Sequence, residues 1–139
     1  MKTAHRAPVV VALLAIGAFA AMGQKERSRH FESTDAVLAQ VPEKAREKRN
    51  PLADDAAAVP AGEKLFEQHC AECHGRDAEG TRRGPDLRDK QVRDASPGEL
   101  FWILTNGLVR HGMPAWSKLP GPQRWQIVTF LRAQKPKAP

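Results

Sequence analysis

The chain has 139 residues, of which 41% are apolar and 27% are charged. This length suits one domain with appendages, and the composition is that of a soluble globular protein rather than a disordered chain, a collagen or a multi-span membrane protein. Lys and Arg total 22 against 16 Asp and Glu, so the formal net charge is +6, and two cysteines are too few for a disulfide-rich framework.

The amino-terminal segment has the pattern of a targeting sequence. A short basic region with Lys2 and Arg6 precedes 16 uncharged residues from Ala7 to Met22, and small residues follow at the spacing that a signal peptidase prefers. Since about 17 apolar residues is the lower limit for a membrane-spanning helix, residues 1–23 are predicted as either a cleaved signal peptide or an uncleaved membrane anchor. Both alternatives imply export, and residues 7–23 would supply any membrane association.

Residues 24–59 carry seven basic and seven acidic residues and few apolar ones. Phe31 to Val41 could form one short amphipathic helix that ends at Pro42, and Glu43 to Arg49 favours a second helix by composition. Too little apolar area is present to order this segment independently. We interpret it as a charged, partly helical linker, a solvated tether in front of a folded domain at residues 60–139.

The domain itself is predicted to be all-α. Helices are expected over residues 61–70, 96–106 and 123–134, with loops over 76–93 and 111–122. The second helix has a clear start at Ser96-Pro97-Gly98-Glu99, because Ser caps the first turn and Glu follows three residues later. No segment alternates convincingly as a strand.

The run Cys70-Ala71-Glu72-Cys73-His74 is the candidate cofactor-binding motif of the chain. In an exported protein C-x-x-C-H is the attachment signal for c-type haem: each thiol adds to one vinyl group, and the adjacent His binds the iron. A disulfide-exchange motif would need neighbouring strands, and a disulfide across so short a loop adds little stability. A structural zinc site needs four ligands, and only His69 and His111 are at hand. The predicted cofactor is therefore one haem c, covalently bound through Cys70 and Cys73.

A second iron ligand is expected C-terminal to this motif. His111-Gly112-Met113-Pro114 places a thioether in a loop whose shape Gly and Pro restrict, so Met113 is predicted to bind the metal together with His74. A buried core Met is the ordinary alternative, and His111 is the rival ligand two residues away. A Met/His pair fills both axial positions of the iron and raises its reduction potential.

The segment from about Pro60 to the end resembles a class I cytochrome c domain of the bacterial periplasmic mono-haem type. Gly62-x-x-x-Phe66 resembles the first helix of that family, and Ile127–Arg132 resembles its last helix, with Phe130 packing on Gly62 and Phe66. The resemblance implies the cytochrome c fold, with three to four short helices around one covalently attached haem.

Gly84-Pro85-Asp86-Leu87 resembles the family's loop in which the Pro carbonyl accepts the ring N–H of the proximal His. The resemblance therefore implies a bond from His74 to Pro85 that would fix the ring's tautomer. It also implies a haem pocket lined by Leu87, Trp102, Ile103, Pro114 and Trp116. For Trp102 and Trp116, ordinary hydrophobic core remains an equal alternative. Tyr is absent, so a haem propionate would need another donor.

These features predict a one-electron carrier rather than an enzyme, because both axial positions are filled and no cluster suggests a nucleophile or general base. One alternative is an electron-relay subunit of a larger membrane oxidoreductase or oxidase complex, which the amino-terminal segment favours. Another is a gas-binding sensor or small peroxidase, which needs an open iron position. The expected location is the periplasm, either soluble or tethered to the outer face of the inner membrane.

The expected partners are redox proteins with an acidic docking face. From Pro60 onward 13 Lys and Arg stand against 9 Asp and Glu, a net charge of +4. Arg82 and Arg83 precede the proximal loop, while Arg110 and Lys118 flank the Met113 loop. A basic rim there would steer an acidic partner. No small-molecule substrate is expected, and no nucleic acid, because no stripe of aromatic and basic residues is present.

Overall fold

Helices make up the regular structure of residues 35–136, the range that the computed structural model describes. They are α1 (Glu43–Arg46), α2 (Ala58–His69), α3 (Ala71–His74), α4 (Lys90–Asp94), α5 (Pro97–Asn106) and α6 (Gly121–Ala133). Residues 35–39 are also helical, and Val109–His111 form a 3-10 turn. Within this range the one extended pairing is an isolated bridge between Leu108 and Met113, so the predicted all-α class is confirmed.

The core lies where α2 crosses α6. A Cβ on Gly62 would overlap the carbonyl oxygen of Gln126, so the two backbones approach more closely than any other residue would allow. Beside this crossing the rings of Phe66 and Phe130 meet with their centroids 5.1 Å apart, and Phe66 is fully buried. The packing that the resemblance implies for these three positions is therefore present.

Helix α5 begins with the predicted capping box. The Ser96 hydroxyl accepts from the amide of Glu99 at 3.2 Å, and the Glu99 carboxylate accepts from the amide of Ser96 at 2.6 Å. Pro97 occupies the first turn, where a missing N–H costs nothing. The helix ends at Gly107, whose φ of +68° few other residues adopt.

The tether interpretation is wrong for residues 35–49. Val37, Val41 and Ala45 are only 7%, 3% and 8% exposed, and the compact unit begins at Asp35. These apolar side chains recur every four residues, which brings them to one face although Pro42 interrupts the helix. Helix α1 packs on α5, and this segment is therefore part of the folded unit.

One arginine joins this segment to α5. The Arg46 guanidinium donates to Glu99 at 2.7 Å and to the carbonyl oxygens of Val41 at 3.1 Å and Leu38 at 2.6 Å. In return, the hydroxyl of Ser96 donates to the carbonyl of Arg46 at 3.0 Å. The capping box thus serves both the helix it begins and the segment that precedes it.

The loop predicted over residues 76–93 contains the start of a helix. Lys90 and Asp94 form an i,i+4 ion pair along α4, and Ala95, directly after it, is 4% exposed. Five residues are too few to show helical periodicity, which is why the sequence pattern missed this element.

No helix within residues 35–136 is long and apolar enough to cross a membrane. The predicted signal peptide or anchor at residues 1–23, and residues 24–34 of the predicted linker, lie outside the described range.

Candidate haem site

The C-x-x-C-H motif lies at the junction of two helices. Cys70 lies between α2 and α3 and caps both helices, and α3 forms one turn from Ala71 to His74. The amides of Cys73 and His74 both donate to the carbonyl of Cys70, at 3.1 and 3.0 Å. Both thiols are free and half-buried, so five consecutive residues present two sulfurs and one imidazole.

Burial sets the protonation state of the first thiol. It raises the pKa of Cys70 to about 12, with the negative charge that Cys73 would carry adding to the effect. Cys70 is therefore protonated at neutral pH. Thioether formation would consume that group, since the sulfur and its hydrogen add to the two carbons of a vinyl bond.

The ring of His74 is buried and oriented by one hydrogen bond. Its Nδ1 lies 2.9 Å from the carbonyl oxygen of Pro85, the contact that the resemblance implies. Because a carbonyl only accepts, Nδ1 carries the proton, and Nε2 keeps the lone pair that could bind a metal. Burial lowers the pKa of His74, against the opposing effect of the Pro85 bond, so the ring is neutral at pH 7.

The loop that supplies Pro85 is fixed against the motif. The Thr81 hydroxyl donates to the carbonyl of Cys73 at 2.6 Å, and the Thr81 amide donates to Gly84 at 2.9 Å. A Cβ on Gly84 would stand 2.8 Å from the Cys73 carbonyl oxygen and 3.0 Å from His74 Nδ1. The position of the Pro85 carbonyl therefore depends on glycine at residue 84.

The Met113 loop is held at the opposite end of α5 from the capping box. The backbones of Leu108 and Met113 exchange two hydrogen bonds, of 2.9 and 3.1 Å. A Cβ on Gly107 would stand only 2.5 Å from the amide nitrogen of Ala115, so the loop folds back tightly onto the helix end. The Trp116 amide then donates to the carbonyl of Leu104 inside α5, at 2.9 Å.

The predicted site residues differ in their placement. Met113, Leu87 and Trp116 are half-buried and pack against the hydrophobic core, whereas His111 is exposed. Trp102 is half-buried but is not among the residues that pack against that core. Met113 thus packs against the core and His111 does not, while the ligation by Met113 and the pocket role of Trp102 stay predictions.

A cavity of about 110 Å³ lies beside Leu87. The other residues of its lining are Val92, Arg93, Leu100, Leu131, Arg132 and Gln134. Val92 could not be assigned from the sequence because α4 was not predicted. Leu100 and Leu131 sit in predicted helices, and their apolar spacing was the available signal.

The donor set suits haem attachment. Two free thiols one helical turn apart, followed by a buried neutral imidazole with one nitrogen already satisfied, match the groups that thioether attachment and iron ligation require. Within residues 35–136 no three His, Cys, Asp or Glu side chains gather as a metal-binding cluster.

A family model described as cytochrome c oxidase, cbb3-type, subunit III, matches residues 57–131, more than half of the chain. The chain belongs to this family. The match begins one residue before α2 and ends inside α6, so it covers the two crossing helices, the C-x-x-C-H motif and the Met113 loop.

Three curated proteins are similar in sequence to this chain. The cbb3-type cytochrome c oxidase subunit CcoP of Rubrivivax gelatinosus is 31% identical over 128 residues, which are 83% of this chain and 42% of the relative. The CcoP subunit of Azospirillum brasilense is 34% identical over 77 residues, half of this chain and 25% of the relative. The quinohemoprotein alcohol dehydrogenase ADH-IIG of Pseudomonas putida is 33% identical over 73 residues, which are 52% of this chain and 10% of the relative.

A solved structure of similar fold is cytochrome cL of the marine methylotroph Methylophaga aminisulfidivorans. It is 29% identical, with a TM-score of 0.53 over 60% of this chain and 57% of the other. The chain spans less than half the length of these curated relatives. The prediction of a c-type cytochrome domain, with haem c as its cofactor, is confirmed.

Proposed function

We propose that this chain is a one-electron carrier of a periplasmic or membrane-associated electron-transport chain, with haem c bound to Cys70 and Cys73 and ligated by His74 and Met113. The bound haem supplies an iron that alternates between two oxidation states. The observation that carries the proposal is the buried ring of His74, which directly follows the two thiols in the chain and whose Nδ1 lies 2.9 Å from the carbonyl oxygen of Pro85.

Side chains of the protein would supply both ligands of this iron and leave no open coordination position. Pro85 holds the His74 ring in one tautomer, and the bridge between Leu108 and Met113 fixes the backbone of the thioether ligand. If His74 and Met113 both bind the iron, no position would remain for a substrate, and the chemistry supplied by the haem would be electron transfer. The half-buried Leu87 and Trp116 would contribute apolar surface next to the haem.

A second candidate function is that of an electron-relay subunit fixed within a membrane oxidase complex. It is favoured by the match to the subunit III family and by two CcoP relatives. Both functions use the same haem and ligands. Co-purification of the native protein with a large oxidase subunit would support the relay, whereas purification as a free cytochrome would support the carrier.

The partner of this domain is proposed to dock at the Met113 side. Val109, in the 3-10 turn before Met113, is 73% exposed, and Arg110 and Lys118 are exposed on either side of the loop. No ion pair involves Arg110 or Lys118 within the described residues, whereas Arg83 on the proximal side pairs with Glu72. This distribution suits a redox protein whose docking face is acidic around an apolar centre.

Substitution of Met113 by Ala tests the ligand assignment. The haem-loaded variant should lose the weak far-red sulfur-to-iron absorption of the oxidised form, and its potential should fall, because a Met/His pair raises the potential. Absorption spectra and a redox titration measure both effects. His111→Ala is the matched control, and loss of the band in that variant instead would assign the ligand to His111.

A further inference from the structure

A ring contact joins the haem-attachment turn to the Met113 loop. The rings of His69 and Trp116 lie with their centroids 5.1 Å apart at an interplanar angle of 50°. His69 is the last residue of α2 and directly precedes Cys70, whereas Trp116 follows Met113 by three residues. Both side chains are half-buried, and the haem-binding roles proposed above make no use of His69.

Trp116 is also held by two backbone hydrogen bonds and by packing against the core. Its amide donates to the carbonyl of Leu104 at 2.9 Å, its carbonyl accepts from the amide of Leu119 at 3.0 Å, and its side chain packs against the core. The loop is therefore attached through its backbone at Met113 itself, by the bridge to Leu108, and again three residues later at Trp116. A contact that holds Trp116 in place also restricts the part of the loop next to Met113.

We infer that His69 and Trp116 form a latch that holds the Met113 loop closed over the haem. The inference rests on the proposed ligation by Met113, and both latch residues act on that ligand as positioning residues. Tilted aromatic pairs of this kind contribute beyond the area they bury, by an amount that corresponds to about a 2- to 10-fold change in an equilibrium. Breaking the contact should raise the open fraction of the loop by that factor.

Displacement of the ligand by imidazole measures the open fraction. Imidazole is added to the oxidised, haem-loaded protein, and the loss of the far-red sulfur-to-iron band gives the apparent affinity. Because imidazole reaches the iron only when the loop opens, its affinity should rise about 5-fold in His69→Ala and at least as much in Trp116→Ala. The double variant should bind imidazole no more tightly than Trp116→Ala alone, since contacting residues are not additive.

Two further variants keep the test selective. His69→Phe retains a ring at this position and should restore the wild-type affinity, whereas a purely structural defect in α2 would not be rescued by that change. Gln68→Ala removes the exposed side chain one residue earlier in the same helix and should have no effect. Mass spectrometry and far-UV circular dichroism check that each variant is folded and carries haem.

The outcomes separate the latch from the proposed function. If Met113→Ala abolishes the far-red band but His69→Ala leaves the imidazole affinity unchanged, the latch is wrong and the ligand assignment stands. Independent, multiplying effects of His69→Ala and Trp116→Ala would also exclude a shared contact. If the band survives in Met113→Ala, both the ligand assignment and the latch are wrong.

Discussion

The proximal histidine owes its proton position to one backbone oxygen. The Pro85 carbonyl fixes the proton on Nδ1, and burial keeps the ring neutral by lowering its pKa. A bond to Nδ1–H makes the imidazole a stronger donor to a metal at Nε2, because it pulls that proton partly away from the ring. A stronger donor stabilises the more highly charged, oxidised iron. The strength of this bond should therefore adjust the reduction potential.

Substitution of Gly84 by Ala weakens this bond. The new methyl group would meet the Cys73 carbonyl at 2.8 Å and His74 Nδ1 at 3.0 Å, which forces the ring and Pro85 apart. If the bond stabilises the oxidised state by about 1 kcal/mol more than the reduced state, its loss corresponds to a rise in potential of roughly 40 mV for a one-electron couple. A spectroelectrochemical titration of the haem-loaded protein measures the shift.

Gly121→Ala is the matched control, because a methyl group added there, at the start of α6, would have no atom within 4 Å. Its potential should equal that of the wild type. An unchanged or lowered potential in Gly84→Ala would show that the Pro85 bond does not act on the iron in this way.

Residue-scale features could be predicted where the signal is local. The five-residue C-x-x-C-H motif indicates haem attachment without reference to distant parts of the chain. The bond from His74 to Pro85 could be expected only because Gly84-Pro85-Asp86-Leu87 resembles a loop of the cytochrome c family. The contacts from His69 to Trp116 and from Arg46 to Glu99 could not be predicted in this way. They join residues 47 and 53 positions apart, and only the packed helices bring them together.

At the scale of elements, α5 is held at both ends by different parts of the chain. Its first turn packs against α1 so closely that a Cβ on Gly98 would overlap the carbonyl oxygen of Ala45. Its last turns carry the Met113 loop through Leu104 and Gly107. Leu104 and Gly107 follow Gly98 by six and nine residues, so at 1.5 Å per residue the two attachments are about 9 to 14 Å apart. Residues 35–49 therefore support α5 at its first turn, opposite the end that holds the Met113 loop.

Removal of the Arg46 side chain should detach this segment. Arg46→Ala leaves the Glu99 carboxylate, whose side chain is 10% exposed, without its ion-pair partner and with only the Ser96 amide as a donor, and it also removes two bonds to backbone carbonyls. We expect the free energy of unfolding to fall by about 2 kcal/mol, less than for a fully buried pair because Arg46 is itself 32% exposed. Denaturant unfolding followed by circular dichroism measures the loss.

Arg49→Ala is the control, since Arg49 is an exposed basic residue of the same segment. Its stability should stay within about 0.5 kcal/mol of the wild type. Limited proteolysis adds a local measurement, and cleavage before residue 50 should become faster in Arg46→Ala alone. Equal protection in both variants would contradict the role of Arg46.

The elements themselves were predictable to different degrees. Helix α5 could be predicted because its capping box lies within four consecutive residues. Helix α6 could be predicted because its apolar residues recur at helical spacing. Helix α4 was missed because five residues show no period. The apolar area of residues 35–49 does not by itself indicate burial, because that burial depends on the surface of α5.

Among the basic residues that flank the proximal loop and the Met113 loop, Arg83 is ion-paired, whereas Arg82, Arg110 and Lys118 take part in no ion pair within residues 35–136. Near the proximal loop, Arg83 pairs with Glu72 and Arg76 pairs with Glu67, so much of the positive charge there is balanced. At the Met113 side, Arg110 takes part in no ion pair within the described residues. The basic rim expected from the sequence is therefore uneven, and the electrostatic attraction for an acidic partner should come mainly from the Met113 side.

The rate of electron transfer to a small acidic copper protein tests this docking surface. In the wild type the second-order rate should fall as the ionic strength rises through about 0.1 M, where the screening length falls to about 10 Å. Arg110→Gln should lower the rate about threefold at low salt and not at high salt, because it removes steering but no ligand. Arg76→Gln, which removes a cation already balanced by Glu67, is the control and should change the low-salt rate little. A rate that is flat with salt, or an equal loss in the two variants, would exclude the Met113 side as the docking surface.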